Sequence, residues 1–129
     1  MKVLIVDDNE ELACAMSYVV ERETKYHART APDGCRGYLT YLEFKPDIVI
    51  TDIEMPGRNG FELMREIRTH DPAVRTIYMS GDPVSFISQI EEEERQFPVT
   101  FLGKPFSFEM LKDLLSATAE PEPLQKASE

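Results

Sequence analysis

The chain has 129 residues, 42% of them hydrophobic and 29% charged, which suits one globular domain able to bury roughly two-thirds of its unfolded surface. Twenty-four acids against fourteen Lys and Arg leave a net charge of −10. That balance opposes direct binding to nucleic acid or to an anionic membrane surface. Cys14 and Cys35 have no CxxC spacing and no neighbouring histidine, and read as small apolar or half-buried residues in a reducing compartment. Only Val3 to Val6 are apolar before Asp7, too few for a signal-peptide core, and no run reaches transmembrane length. The expectation is a cytoplasmic protein.

In chain order, Val3, Leu4, Ile5 and Val6 predict a buried strand that stops on Asp7 and Asp8. Asn9 and Glu10 open a helix running to about Glu23, with Leu12, Met16, Val19 and Val20 on one face. Tyr26 to Ala31 is a more polar strand, as expected at a sheet edge. Pro32, Asp33 and Gly34 turn the chain into a helix with Tyr38, Leu39 and Leu42 inward, ended by Pro46. Ile48, Val49, Ile50 and Thr51 are β-branched in succession, the mark of a strand buried on both faces. Asp52 ends it. Pro56, Gly57, Asn59 and Gly60 form a loop, with Asn59 capping a helix from Phe61 to about Thr69 that buries Leu63, Met64 and Ile67.

Asp71 and Pro72 break that helix, and Thr76 to Met79 form a fourth strand ending on Ser80 and Gly81. Asp82 and Pro83 cap a helix carrying Phe86, Ile87 and Ile90, which runs into Glu91 to Glu94. Four carboxylates at the negative end of a helix dipole predict fraying, in a run that is either a solvated helix end or a partner-contact patch. Val99 to Leu102 is a short fifth strand, ending on Gly103, Lys104 and Pro105. Ser107 caps a last helix with Phe108, Leu111, Leu114 and Leu115 inward, and the polar stretch from Glu120 to Glu129 is a tail or linker.

Strands alternating with helices predict a doubly wound α/β domain with a five-stranded parallel sheet. In such sheets ligands bind outside the carboxyl ends of the strands. Those ends carry Asp7 and Asp8, Asp52, Ser80 and Lys104. A single aspartate there has an ordinary reading, a loop carboxylate held by backbone N–H groups. Several carboxylates at one edge repel each other without a cation and suit Mg²⁺, which prefers oxygen ligands. Lys104 supplies a positive charge and Ser80 a hydroxyl, both apt for a phosphoryl group. A carboxylate can itself accept that group, with catalysis resting on positioning and charge neutralisation.

Four segments, LIVDDNE at Leu4 to Glu10, DIVITDIEMPGRNGFEL at Asp47 to Leu63, YMSGD around Ser80 and FLGKPF around Lys104, closely resemble the receiver domains of two-component response regulators. The likeness covers Met1 to about Ala119. It implies a flavodoxin-like (βα)5 fold with strand order 2-1-3-4-5, in which Asp52 accepts a phosphoryl group from a sensor histidine kinase or a histidine phosphotransfer protein. It also implies Mg²⁺ held by Asp7, Asp8, Asp52 and the backbone carbonyl of Glu54, catalysis by Lys104 and Ser80, and a cis bond from Lys104 to Pro105. Ser80 and Phe101 become the switch residues that alter the surface of the fourth helix, fifth strand and fifth helix, a face open to dimerisation. The output is a downstream protein or a missing output domain, with no nucleic acid and no membrane bound by this domain itself. A rigid core aromatic is the competing reading of Phe101. Glu54 and Asp82, each two residues beyond a site residue, are expected to tune phosphoryl lifetime. The stretch IEEEERQFPVT departs from the small-residue segment usual in the family before the fifth strand. Two alternatives are a dehalogenase-like phosphatase with an aspartate nucleophile and a receiver-shaped interaction module that takes no phosphate.

Overall fold

A computed structural model describes residues 1–119; the tail expected at 120–129 lies outside the described residues. Five strands, β1 (Lys2–Val6), β2 (His27–Ala31), β3 (Ile48–Asp52), β4 (Arg75–Ser80) and β5 (Val99–Gly103), alternate with α1 (Glu10–Glu23), α2 (Gly34–Phe44), α3 (Gly60–Ile67), α4 (Ile87–Glu94) and α5 (Phe108–Ala119). All strand pairs are parallel, in the order β2-β1-β3-β4-β5. The β-branched run of β3 is buried along its whole length, because a central parallel strand is covered on both faces. β2 sits at the edge, as its polarity requires.

The period of two along each strand divides the core. Leu4, Val6, Val49 and Tyr78 face one side with Phe61, Leu63 and Ile67 of α3 and Ile90 of α4. Val3, Ile5, Ile48, Ile50, Ile77 and Met79 face the other with Ala13, Met16 and Val20 of α1 and Leu111 and Leu115 of α5. Side-chain caps begin α1, α2 and α3. Asn9 Oδ1 accepts the Leu12 N–H at 3.1 Å, Asp33 Oδ1 accepts that of Arg36 at 2.8 Å, and Asn59 and Glu62 form a reciprocal capping box. Lys45, before Pro46, ends α2 in the left-handed region at φ 51°.

Several sequence expectations are corrected. Leu39 and Leu42 point outward, and α2 buries Gly34, Gly37, Tyr41 and Phe44 instead. Ile87 and Phe108 are exposed, as are both cysteines, which are free thiols. Asp82 does not cap a helix N–H. Its Oδ2 accepts the Ser85 hydroxyl at 2.7 Å, and Pro83–Phe86 forms a 3-10 turn ahead of α4. The irregularity therefore falls at the start of this segment. The glutamate run stays helical to Glu94, because Glu93 is half-buried and bonded to Arg68 and Tyr78.

Candidate functional site

Parallel strands of similar length bring their carboxyl ends to one edge, and register decides which side chains meet there. Val6 pairs with Thr51, so Asp7 and Asp52 follow on adjacent strands. Met79 pairs with Asp52 and Ser80 with Gly103, which brings Ser80 and Lys104 to the same end. Asp7, Asp8 and Asp52 each offer a carboxylate oxygen within 4.8 Å of the others. Asp7 and Asp52 are buried, while Asp8 lies exposed at the rim.

Lys104 Nζ donates to Asp7 Oδ2 at 2.9 Å and to Asp52 Oδ2 at 3.1 Å. Burial alone would lower the lysine pKa, but the two carboxylates override it and hold the ammonium above its ordinary value. One lysine charge shared between two acids does not fully offset the burial of Asp52. Burial raises the Asp52 carboxyl above the ordinary carboxylate range, opposed by Lys104, with the nearby Asp7 charge raising it further and a backbone hydrogen bond from Glu54 lowering it. The other oxygen of Asp7, Oδ1, accepts the Asn9 N–H at 2.8 Å, so the helix cap also orients an acid of the site.

Ser80 is buried, and its Oγ accepts the Asp82 N–H at 2.9 Å, which ties it to the loop after β4. The backbone of Lys104 donates to the Ser80 carbonyl at 2.9 Å, stitching β4 to β5 where their side chains enter the site. The Lys104–Pro105 bond is cis, in agreement with the expectation. Phe101 is half-buried and packs against the core face that holds Tyr78, its cross-strand partner in register. Glu54 and Asp82 are exposed. His27 and His70 stand elsewhere, His27 3.6 Å from Glu21 and His70 bonded to Tyr38 at 2.7 Å.

A residue that sequence reasoning treated only as loop has a positional part here. A Cβ on Gly60 would lie 2.5 Å from the Asp52 carbonyl oxygen, so only glycine lets α3 start against the backbone of that aspartate. Hydrophobic patterning is silent on glycine; the tight strand-to-helix connection was the available clue. Chemically, the donors are all hard oxygens, one acid is solvent-facing, and Asp52 stays raised despite the Lys104 charge beside it. That set fits a small divalent cation with open positions. The same edge presents a lysine beside a buried carboxylate, charges suited to meeting a phosphoryl group.

Comparison with known proteins agrees with this geometry. The sequence profile described as "Response regulator receiver domain" matches residues 3–116. Chemotaxis protein CheY of Listeria monocytogenes is 30% identical over 93% of this chain and 99% of its own. Sporulation initiation phosphotransferase F of Bacillus subtilis is 27% identical over 87% of this chain and 88% of its own. The transcriptional regulatory protein MalR of Bacillus subtilis is 40% identical over 90% of this chain, which spans 49% of MalR. Among solved structures, CheY4 of Vibrio cholerae superposes with a TM-score of 0.81 at 25% identity, covering 91% of this chain and 97% of that one.

Proposed function

The chain belongs to the receiver domains of two-component response regulators, whose general function is a phosphorylation switch, and from that premise we propose that Asp52 is its phosphoacceptor. The observation that carries the reading is the placement of Lys104 Nζ between the buried carboxylates of Asp7 and Asp52, with Asp8 within reach of both. An Asp52 oxygen attacks the phosphorus of a phosphohistidine on a sensor kinase or phosphotransfer protein. The phosphorus–nitrogen bond breaks, the imidazole leaves and takes a proton, and an acyl phosphate remains. Lys104 balances the charge of the incoming group, and Ser80, at the same strand edge, donates its hydroxyl to a phosphoryl oxygen. Asp7, Asp8, Asp52 and the Glu54 carbonyl would hold Mg²⁺, which when bound neutralises charge on the transferring oxygens. An apolar hollow lined by Leu12, Pro105 and Phe106 beside Lys104 offers the phosphodonor a foothold.

Phosphorylation adds about −1.5 to −2 charges beside Lys104 and Ser80. In the switch we propose, Ser80 leaves the Asp82 N–H for the phosphoryl group and Phe101 turns further into the core. The readout face is α4-β5-α5, where Ile87, Phe108 and Met110 stand exposed, with Val84 exposed in the turn ahead of α4. That apolar face supports binding of a downstream protein, an output domain or a second copy. A charge of −10 argues against direct contact of this domain with nucleic acid, and among the described residues no helix is long and apolar enough to cross a membrane. As a switch the domain turns over only its own phosphate, and family membership removes the support for the dehalogenase-like alternative.

The test is intact mass after incubation with acetyl phosphate and Mg²⁺. The wild type is expected to gain one phosphoryl group, and Asp52→Asn none. Equal labelling of both would place the acceptor elsewhere, and no labelling of either would favour the interaction module that takes no phosphate.

A further inference from the structure

The segment between β4 and β5 is thinly attached. From Gly81 to Arg95 only Ile90 is buried, Phe86 and Glu93 are half-buried, and every other residue is exposed. Ile90, with Phe86 packed against the core beside the Phe61 ring at 6.0 Å, is a weak apolar hold for an α-helix, whose stability in a folded chain comes mostly from tertiary packing. The remaining anchor is polar. Glu93 Oε1 accepts the Tyr78 hydroxyl at 2.5 Å and the Arg68 guanidinium at 2.9 Å. Arg68, at the end of α3, also donates to Thr76 at 3.1 Å and lies over the Phe97 ring at 4.1 Å. The Arg68 side chain is 6% exposed and that of Glu93 19%.

The two ends of this cluster answer to different parts of the molecule. Glu93 rides on α4. Tyr78 stands on β4 two residues before Ser80, in register with Phe101, and its ring packs on Phe61 at 4.8 Å. Phe61 follows Gly60, which abuts the Asp52 carbonyl. A change at Ser80, Phe101 or Asp52 therefore reaches the Tyr78 ring through adjacent groups. Resting on the phosphoryl-acceptor reading above, we infer that Arg68, Glu93 and Tyr78 form a latch that holds α4 in the resting position and opens when Asp52 is phosphorylated, so that its strength sets how readily the domain switches. The partial hydration of Glu93 lowers the cost of its departure. Arg68 left buried without its carboxylate raises that cost, which favours the closed state at rest.

Two measurements on the full chain test this, with Tyr78→Phe, which keeps the ring packing and the Arg68–Glu93 pair, and Glu93→Gln, which keeps the volume. Backbone amide exchange in residues 83–97 is expected to speed up in both variants by roughly ten-fold or more, the scale of a lost hydrogen bond to a charged group. Beryllofluoride with Mg²⁺, titrated by amide chemical shifts, is expected to bind both variants more tightly than wild type by a similar factor. Faster exchange with unchanged beryllofluoride affinity would mean that the cluster is equally formed in both states and would overturn the latch alone. Unchanged exchange would also overturn it, because α4 would then be held by something else. Failure of the wild type to bind beryllofluoride would sink the phosphoryl reading itself, and the coupling with it.

Discussion

Asp52 is held at a cost that its proposed chemistry uses. Its carboxyl pKa is raised above the ordinary 3.8, first by burial, with Lys104 opposing and Asp7 adding to it. A raised folded value means that the native state binds the proton more tightly than the unfolded chain. Stability is therefore lost as pH climbs from 3.8 through the raised value. Asp52→Asn removes this loss, while Lys104 keeps its bond to Asp7. The variant is expected to melt above wild type at pH 7 without Mg²⁺, with the gap closing in acid below 3.8; a lower melting temperature for the variant would contradict this balance. The role proposed for Glu54 and Asp82 concerns a different quantity, the lifetime of the phosphoryl group. Both are exposed, so replacing them is expected to disturb the fold little and to show in the approach of water to the proposed acyl phosphate. Glu54→Ala or Asp82→Ala is expected to alter the dephosphorylation rate, and identical phosphate-release time courses for both variants and wild type would remove them from that role.

At the scale of elements, the strands and their terminal acids were legible because a central parallel strand is apolar throughout and stops abruptly. The helix faces were less so. In α2 Tyr38 packs on the core as expected, but Leu39 and Leu42 do not, and the molecule buries Gly34, Gly37, Tyr41 and Phe44, spaced three and four apart. Glycine adds nothing to a hydrophobic pattern, yet Gly37 allows the close approach, since a Cβ there would lie 3.1 Å from Val6 and 3.3 Å from Leu63. The Arg68–Glu93 pair joins residues 25 apart in sequence, which no local spacing rule connects, and Glu93 was indistinguishable from its three neighbours. Gly60 turns the same lesson into a prediction. The Cβ of Gly60→Ala would meet backbone of Asp52 and Ile53, which cannot yield as a flexible side chain would. Overpacking of this kind costs roughly 1–3 kcal/mol and displaces the start of α3 relative to Asp52. Urea denaturation should show a lower midpoint with an unchanged slope, and acetyl phosphate labelling should slow even where the variant is fully folded.

For the whole molecule, the charge of −10 and the acid cluster at the sheet edge make opposite claims about how cations act. General screening of net charge depends on ionic strength alone and is indifferent to which salt supplies it. A site that needs carboxylates from different strands at once exists only in the folded chain, so occupancy adds stability by mass action, about 2.7 kcal/mol at one hundred times Kd. For a domain of this length that corresponds to a rise of several degrees in melting temperature. The expected result is a clear upward shift with MgCl₂ over NaCl at matched ionic strength in wild type. Asp8→Asn isolates the site, because Asp8 is the exposed member of the acid cluster and its loss leaves the buried Asp7–Lys104–Asp52 bonds in place. The variant should keep the NaCl response and lose most of the Mg²⁺ increment. An equal increment in both proteins would mean that magnesium acts on the acidic surface at large, and that the convergence of Asp7, Asp8 and Asp52 is not what binds it.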